Sequence, residues 1–425
     1  MKIVLFVFVL YQALFAQKFS DYFEEKTLRF DYYHIGNDST ESIVFDEMIE
    51  EPIWGGRKAN LIDTLNLGDY KFTIKDSESN SVIYSQNYST LFGEWRTTDE
   101  AKKITRSYSG SVVFPYPKDP VTLEIYSRNR ENNFIKLFSF DIDPDNYFIG
   151  EKTEYFFDVD TIKYSGEPTE KYDIVFIPEG YTESSMDKFI ADCDSLRDYL
   201  FRFKPFDELK NKINIWAVKA PSVDSLCDIP ADDEWYSTIL NSSYYTFDSE
   251  RYLMTEDYKR VRDVAANAPY DQIYILANSE KYGGGAIYNH YSLTVTKDPR
   301  FKEIFLHELG HGVAGLADEY GYDDTYNDFY PKDVEPWEKN ITTLVDFDKK
   351  WKSLVDKDTP IPTPNDSNYC NKIGAFEGAG YVNKGVYRPT YNSIMRSLNS
   401  DGFNIVSQKA LKDVVLFYSK KLNLD

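Results

Sequence analysis

The chain changes its hydrophobic grammar near residue 170. Before that point, short runs alternate or are rich in β-branched and aromatic residues: Thr27–Tyr33, Tyr70–Lys75, Ser81–Tyr88, Ser109–Phe114, Val121–Ser127 and Phe134–Ile142. Polar turn segments such as Asp76–Asn80 and Asn129–Asn133 separate them, and no long helical period intervenes. Short strands at this spacing predict two packed antiparallel sheets, an all-β sandwich over residues 17–145. Gly150, Gly166 and Pro168 mark 146–170 as a connecting segment. Beyond it, Tyr172–Ile177 is a continuous apolar strand. Met186, Phe189, Ile190, Cys193, Leu196, Leu200 and Phe203 then recur at helical spacing, with Thr182 as a fitting N-cap. Strands at Ile213–Val218 and Gln272–Ala277 bracket a helix around Asp257–Ala265. Strands alternating with helices predict an α+β domain with a mixed sheet over residues 171–425.

The first 16 residues stand apart from both patterns. Lys2 precedes an apolar run, Ile3–Ala16, that is too short to span a bilayer with its flanks and reads as a secretory signal peptide. No later stretch is apolar enough to cross a membrane. The expectation is a mature protein that is secreted, periplasmic or at the cell surface, without an integral membrane segment. The three cysteines, Cys193, Cys227 and Cys370, match no zinc-knuckle spacing. They read either as one disulfide with a thiol left over or as three separate thiols.

Charge narrows the partners. With 70 acidic and 48 basic residues the net charge is −22, which repels phosphate backbones and anionic lipid headgroups. Nucleic acid is therefore excluded as a partner. Hydrophobic residues make up 42% of the chain, enough for packed cores, so global disorder is excluded too. The chain has only 4 histidines: His34, His290, His307 and His311.

Half of those imidazoles fall in one pentapeptide, His307-Glu308-Leu309-Gly310-His311. Asp298 and Pro299 suit the start of a helix there. Four-residue spacing puts both imidazoles on one helix face, aimed at a common metal, with Glu308 placed to reach a metal-activated water. Zinc needs a third protein ligand and an open position. The metzincin spacing would put Gly and a third His at positions that are Ala314 and Ala317 here. Gly315 and Asp318 each lie one residue later, so a lengthened turn brings Asp318 back to the metal, with Glu319 as the neighbouring alternative. A Glu from a later helix, Glu335 or Glu338, is a further option that the downstream Met395 disfavours. Met395, in Tyr391-Asn392-Ser393-Ile394-Met395-Arg396, reads as the Met-turn that sets a thioether beneath metal ligands.

Taken together, HELGHGVAGLADEY (307–320), IPEGYT (177–182), FEGAGY (376–381) and GVYRPTYNSIMR (385–396) resemble the immunoglobulin A peptidase family of secreted bacterial metallopeptidases. The resemblance spans residues 171–425, and the β segment resembles the N-terminal domain that often precedes the peptidase. It implies a metzincin-like zinc endopeptidase with one catalytic zinc ion. His307, His311 and Asp318 are then the ligands, Glu308 the general base, and a protein or peptide the substrate. It does not imply immunoglobulin A as that substrate.

Other residues invite roles around such a site. Tyr387, Arg388, Tyr391 and Arg396 surround the Met-turn and are candidates to stabilise a transition-state oxyanion. Gly284, Gly285 and Ala286 open a segment that alternates like an edge strand, to which an extended peptide could add. His290 reads as structural. Residues 318–338 carry 8 acidic side chains against Lys332. Asp323, Asp324 and Asp328 are spaced like part of a calcium loop, but the full pattern is missing and a solvated acidic loop is the better reading. The competing class is a surface or secreted protein whose β domain binds host glycan or protein, with minor peptidase activity.

Overall fold

A computed structural model describes residues 18–322 and 330–421. The signal-peptide segment 1–16 and the aspartates 323, 324 and 328 lie outside the described residues. After a single helical turn, α1 (Phe19–Tyr22), the chain forms β1 (Phe23–Gly36), β2 (Glu41–Glu51), β3 (Tyr70–Asp76) and β4 (Val82–Tyr88). The short helix α2 (Leu91–Trp95) follows, and then β5 (Arg106–Pro117), β6 (Val121–Arg128), β7 (Phe134–Ile142) and β8 (Ile149–Glu151). These strands make two four-stranded sheets, ordered β5-β1-β2-β8 and β4-β3-β6-β7. Both sheets contribute to one core, for example through Leu28 and Phe30 of β1 and Phe72, Leu123 and Ile125 facing them.

Two elements of this half are not readable as sequence patterns. The ladder of β2 slips between Asp31 and Tyr32, so Ile43 and Met48, an odd number of residues apart, are both buried. That bulge destroys the period-2 signal. α2 has five residues, too few to display a helical period.

The second half is built on a six-stranded mixed sheet with the order β13-β14-β12-β10-β11-β9. Its strands are β9 (Val159–Lys163), β10 (Tyr172–Glu179), β11 (Ile213–Val218), β12 (Gln272–Ala277), β13 (Gly284–Ile287) and β14 (Tyr291–Val295). The four central strands run parallel, and β9 and β13 close the edges antiparallel. Successive residues of β10 point to opposite faces, as strand geometry requires. Ile174 and Phe176 pack with α3 (Met186–Leu200), α5 (Phe301–Ala314) and α6 (Ile405–Tyr418). Val175 and Ile177 pack with α4 (Tyr258–Ala265) and with Leu91, Phe92 and Trp95 of α2. Both faces are covered, which is why the central strands are apolar throughout. A small hairpin of β15 (Phe376–Ala379) and β16 (Val382–Arg388) completes the second half.

Several expectations shift in detail. The connector 146–170 supplies a strand to each half, β8 and β9. Thr182 precedes a 3-10 turn rather than capping α3, and its hydroxyl meets Ser184 and Ser185. α5 begins at Phe301, two residues after Pro299, with the Asp298 carboxylate accepting from the Arg300 N–H. All three cysteines are free thiols, with Cys193 and Cys227 buried and Cys370 exposed. Among the described residues no helix is long and apolar enough to cross a membrane.

Candidate metal centre

α5 holds its position because Phe305, Leu306, Leu309 and Val313 are buried beneath the sheet. The opposite face carries His307 and His311, whose side chains keep 13% and 17% of their surface open. Each imidazole donates its Nδ1–H to a backbone carbonyl, His307 to Ile394 at 2.9 Å and His311 to Leu316 at 2.5 Å. A carbonyl can only accept, so these bonds keep the proton on Nδ1 and turn both Nε2 atoms toward the same point, 3.1 Å apart.

The helix stops at Gly315, whose φ of +56° is left-handed and whose N–H returns to the His311 carbonyl. A side chain there would also meet the Trp337 ring at 2.5 Å. The chain reverses and is pinned on both sides. Asn340 bonds both the N–H and the carbonyl of Ala317. The Glu319 N–H donates to Met395 O, and the Gly380 N–H donates to Asp318 O. Asp318 is thereby buried, with Oδ1 at 3.1 Å from His307 Nε2 and 3.6 Å from His311 Nε2. Its Oδ2 accepts from the Tyr381 hydroxyl at 2.5 Å, while Oδ1 has no conventional hydrogen-bond donor.

Glu319 faces the other way. Its carboxylate accepts from Ser393 at 2.6 Å, Asn340 at 3.0 Å and Asn404 at 2.7 Å. It ties the 316–319 turn to the 393–396 turn and to the N-terminus of α6, where Asn404 caps the helix. Met395 is fully buried, and its sulfur lies 2.7 Å from where a Cβ on Gly310 would stand. Only glycine therefore lets this thioether pack against the helix backbone. Glu335 and Glu338 lie outside the ligand group: Glu335 bonds the Asp346 N–H and Glu338 accepts from Tyr330. Among the described residues His307, His311 and Asp318 are the one group of three or more ligand-type side chains that converge.

The electrostatics follow from this packing. Burial opposes charge on His307, but the Asp318 carboxylate outweighs it and raises the imidazole to about 9. Despite burial, the two imidazoles hold Asp318 well below the usual carboxylate range. Burial raises Glu308, opposed by the nearby imidazoles and Arg251. Glu308 Oε1 stands 3.5 Å from the position a Gly284 side chain would take, so β13 runs beside it.

Gly284, Gly285 and Ala286 do lie in the edge strand β13. Its outer side is partly occupied, since the Gly284 N–H reaches Arg251 O at 3.4 Å and Tyr252 packs at Gly285. Three of the four candidate oxyanion stabilisers, Arg388, Tyr387 and Arg396, engage neighbours in their own segment. Arg388 is buried and donates to the carbonyls of Glu377 and Gly378 and to Asn365. Tyr387 lies on β16 and engages Glu377. Arg396 donates to Tyr391 O and covers the Tyr391 ring. Tyr381 bonds Asp318, and Arg251 lies within electrostatic reach of Asp318 and Glu308. Tyr381 ends the FEGAGY motif, but its bond to Asp318 crosses 63 positions and leaves no local signal. His290 is buried against Tyr258, far from a ligand's role.

Comparison with known proteins adds a family. The profile described as IgA Peptidase M64 matches residues 161–369 and 365–415, and that of the Peptidase M64 N-terminus matches residues 18–139. The chain belongs to the IgA Peptidase M64 family. No curated protein matches the chain significantly. As a member of M64, the chain is a peptidase of a generally metal-dependent family, and its β-rich first half is the N-terminal part of that family. The His307–His311–Asp318 group of this M64 peptidase is compatible with metal dependence. Ligand atoms at the corners of a zinc tetrahedron stand about 3.3 Å apart, given bonds of about 2.0–2.1 Å. The separations of 3.1, 3.1 and 3.6 Å fit one face of it.

Proposed function

We propose that the chain is a secreted zinc endopeptidase of metzincin-like architecture, with His307, His311 and Asp318 as ligands and Glu308 as general base. The observation that carries this reading is the set of three convergent donor atoms at tetrahedral spacing, next to Glu308 in the same helix. Zinc held by His307, His311 and Asp318 would supply a Lewis acid that lowers the pKa of an attacking water. Glu308 takes the proton from the attacking water and returns it to the leaving amine. Carbonyls of Ile394 and Leu316 keep both imidazoles in the ligating tautomer, and Tyr381 orients Asp318. The turn 393–396 acts as the Met-turn, holding Met395 under α5. Residues 1–16 support export by their sequence pattern. Protein or peptide chains are the substrate class.

The test is metal analysis with casein cleavage. Glu308→Ala is expected to keep its zinc and lose roughly 10²-fold or more in rate. Asp318→Ala is expected to lose zinc as well. Undiminished proteolysis in Glu308→Ala contradicts the mechanism.

A further inference from the structure

Glu94 of the β half lies near the His307–His311–Asp318 group. Thr90 caps α2 by accepting from the Gly93 N–H, and Leu91, Phe92 and Trp95 sink into the core under the six-stranded sheet. A run of ring contacts anchors the helix further: Trp95 to Tyr108 at 5.6 Å, Tyr108 to Phe247 at 6.5 Å, and Phe247 to Tyr252 at 5.7 Å. Glu94 is the solvent-exposed residue of this otherwise sunken helix. Its carboxylate accepts from the Tyr252 hydroxyl. Tyr252 packs at Gly285 and bridges to Gly284, the glycine beside Glu308.

Glu94 is therefore held within electrostatic reach of His311, Glu308 and Asp318. It is open to water, and partial desolvation raises its carboxyl while the Tyr252 hydroxyl favours the charged form. Neighbouring cations are already engaged. Arg96 pairs with Glu41, Arg106 with Glu100 and Glu256, and Arg251 donates to the Tyr322 hydroxyl. Among the described residues no Lys or Arg forms an ion pair with Glu94. A rigidly mounted carboxylate with a tyrosine as its hydrogen-bond partner is matched by a cation that arrives with the substrate.

We infer that Glu94 is a specificity-determining residue of the cleft, selecting peptides with a Lys or Arg side chain close to the scissile bond. The inference rests on the peptidase reading of the site, so its test separates the two. Labelled decapeptides differing only in a central Lys, Arg, norleucine or Glu are bound to the zinc-loaded full chain carrying Glu308→Ala. Lys and Arg peptides are expected to bind about tenfold more tightly than the norleucine peptide. Adding Glu94→Gln should bring that ratio close to one, and Glu94→Lys should favour the Glu peptide. Tyr252→Phe removes a hydrogen bond that favours the charged carboxylate, so it should shift the Lys and Arg preference to higher pH rather than abolish it. An unchanged ratio in Glu94→Gln overturns the inference. The same peptides are then offered to the chain with Glu308 intact. Absence of cleavage alongside Glu94-dependent binding would count against the peptidase reading and leave the subsite standing. Cleavage with a Lys preference that survives Glu94→Gln would do the reverse.

Discussion

Two carboxylates, Glu319 buried and Glu41 partly buried, show how single residues hold this molecule. Glu319 satisfies Ser393, Asn340 and Asn404 at once. Glu319→Ala leaves three buried donors without an acceptor and is expected to destabilise the fold by roughly 3 kcal/mol, read from urea unfolding. A smaller loss than in an exposed control such as Glu250→Ala would contradict it. Glu41 accepts from His34 at 2.9 Å, Tyr70 at 3.1 Å, Arg96 at 2.5 Å and Ser127 at 2.6 Å. Burial raises its carboxyl, but the bonds from His34 and Ser127 and the Arg96 charge outweigh it and bring it down to about 2. A depressed native value stabilises above the unfolded value of 4.5, and the contribution is lost as pH falls toward about 2. Glu41→Gln should therefore cost about 3 kcal/mol at neutral pH and about half of that near pH 3. Urea melts across that range check it; a gap independent of pH contradicts it.

At the scale of elements, the site depends on where α5 stops. Its spacing brings His307 and His311 together by helix geometry alone, but Asp318 arrives through the left-handed residue Gly315 and the pinned turn after it. Gly315→Ala meets both a φ of +56° and the Trp337 ring. It is expected to cost roughly 1–3 kcal/mol and to weaken metal binding by displacing residues 316–318. Zinc titration against a chromophoric chelator measures this. Unchanged affinity with lowered stability would separate the turn from the ligand. In the second half β10, α3, β11, α4, β12 and α5 were legible from apolar runs and periods, whereas β9, the β15–β16 hairpin and α6 were not drawn from the sequence. The bulged β2 and the short α2 were not legible, for want of any period to read.

The whole molecule behaves as one body in its contacts. Arg29 of β1 is buried among Asp31 at 3.1 Å, Glu51 at 3.2 Å and Asp263 of α4 at 2.7 Å. Trp95, fully buried, sits in the core that also contains Ile275 and Leu293 of the six-stranded sheet. Calorimetry of the full chain is expected to show a single transition. Trp95→Ala should lower it as a whole, at a cost of roughly 3–5 kcal/mol. Two resolved transitions, only one of them moved, would show instead that the halves unfold independently. The charge of −22 acquires a local meaning at this scale, because Glu94 brings acidity from the β half to the wall of the cleft.

By itself the sequence determined what depends on near neighbours along the chain. Two imidazoles four residues apart must share a helix face, alternating apolar residues must make strands, and an apolar period of 3.6 must make a packed helix. It left Asp318 and Glu319 as alternatives, since adjacent carboxylates differ only in where the backbone turns them. The tertiary structure decided between their directions through Asn340, Tyr381, Ser393 and the Met395 carbonyl. It also gave Tyr387, Arg388 and Arg396 partners in their own segment and brought Glu94 and Arg251 within electrostatic reach of Asp318. The placements of Asp318, Glu319 and Glu94 rest on contacts between residues tens to hundreds of positions apart, where packing and hydrogen-bond satisfaction, rather than local spacing, select the partner.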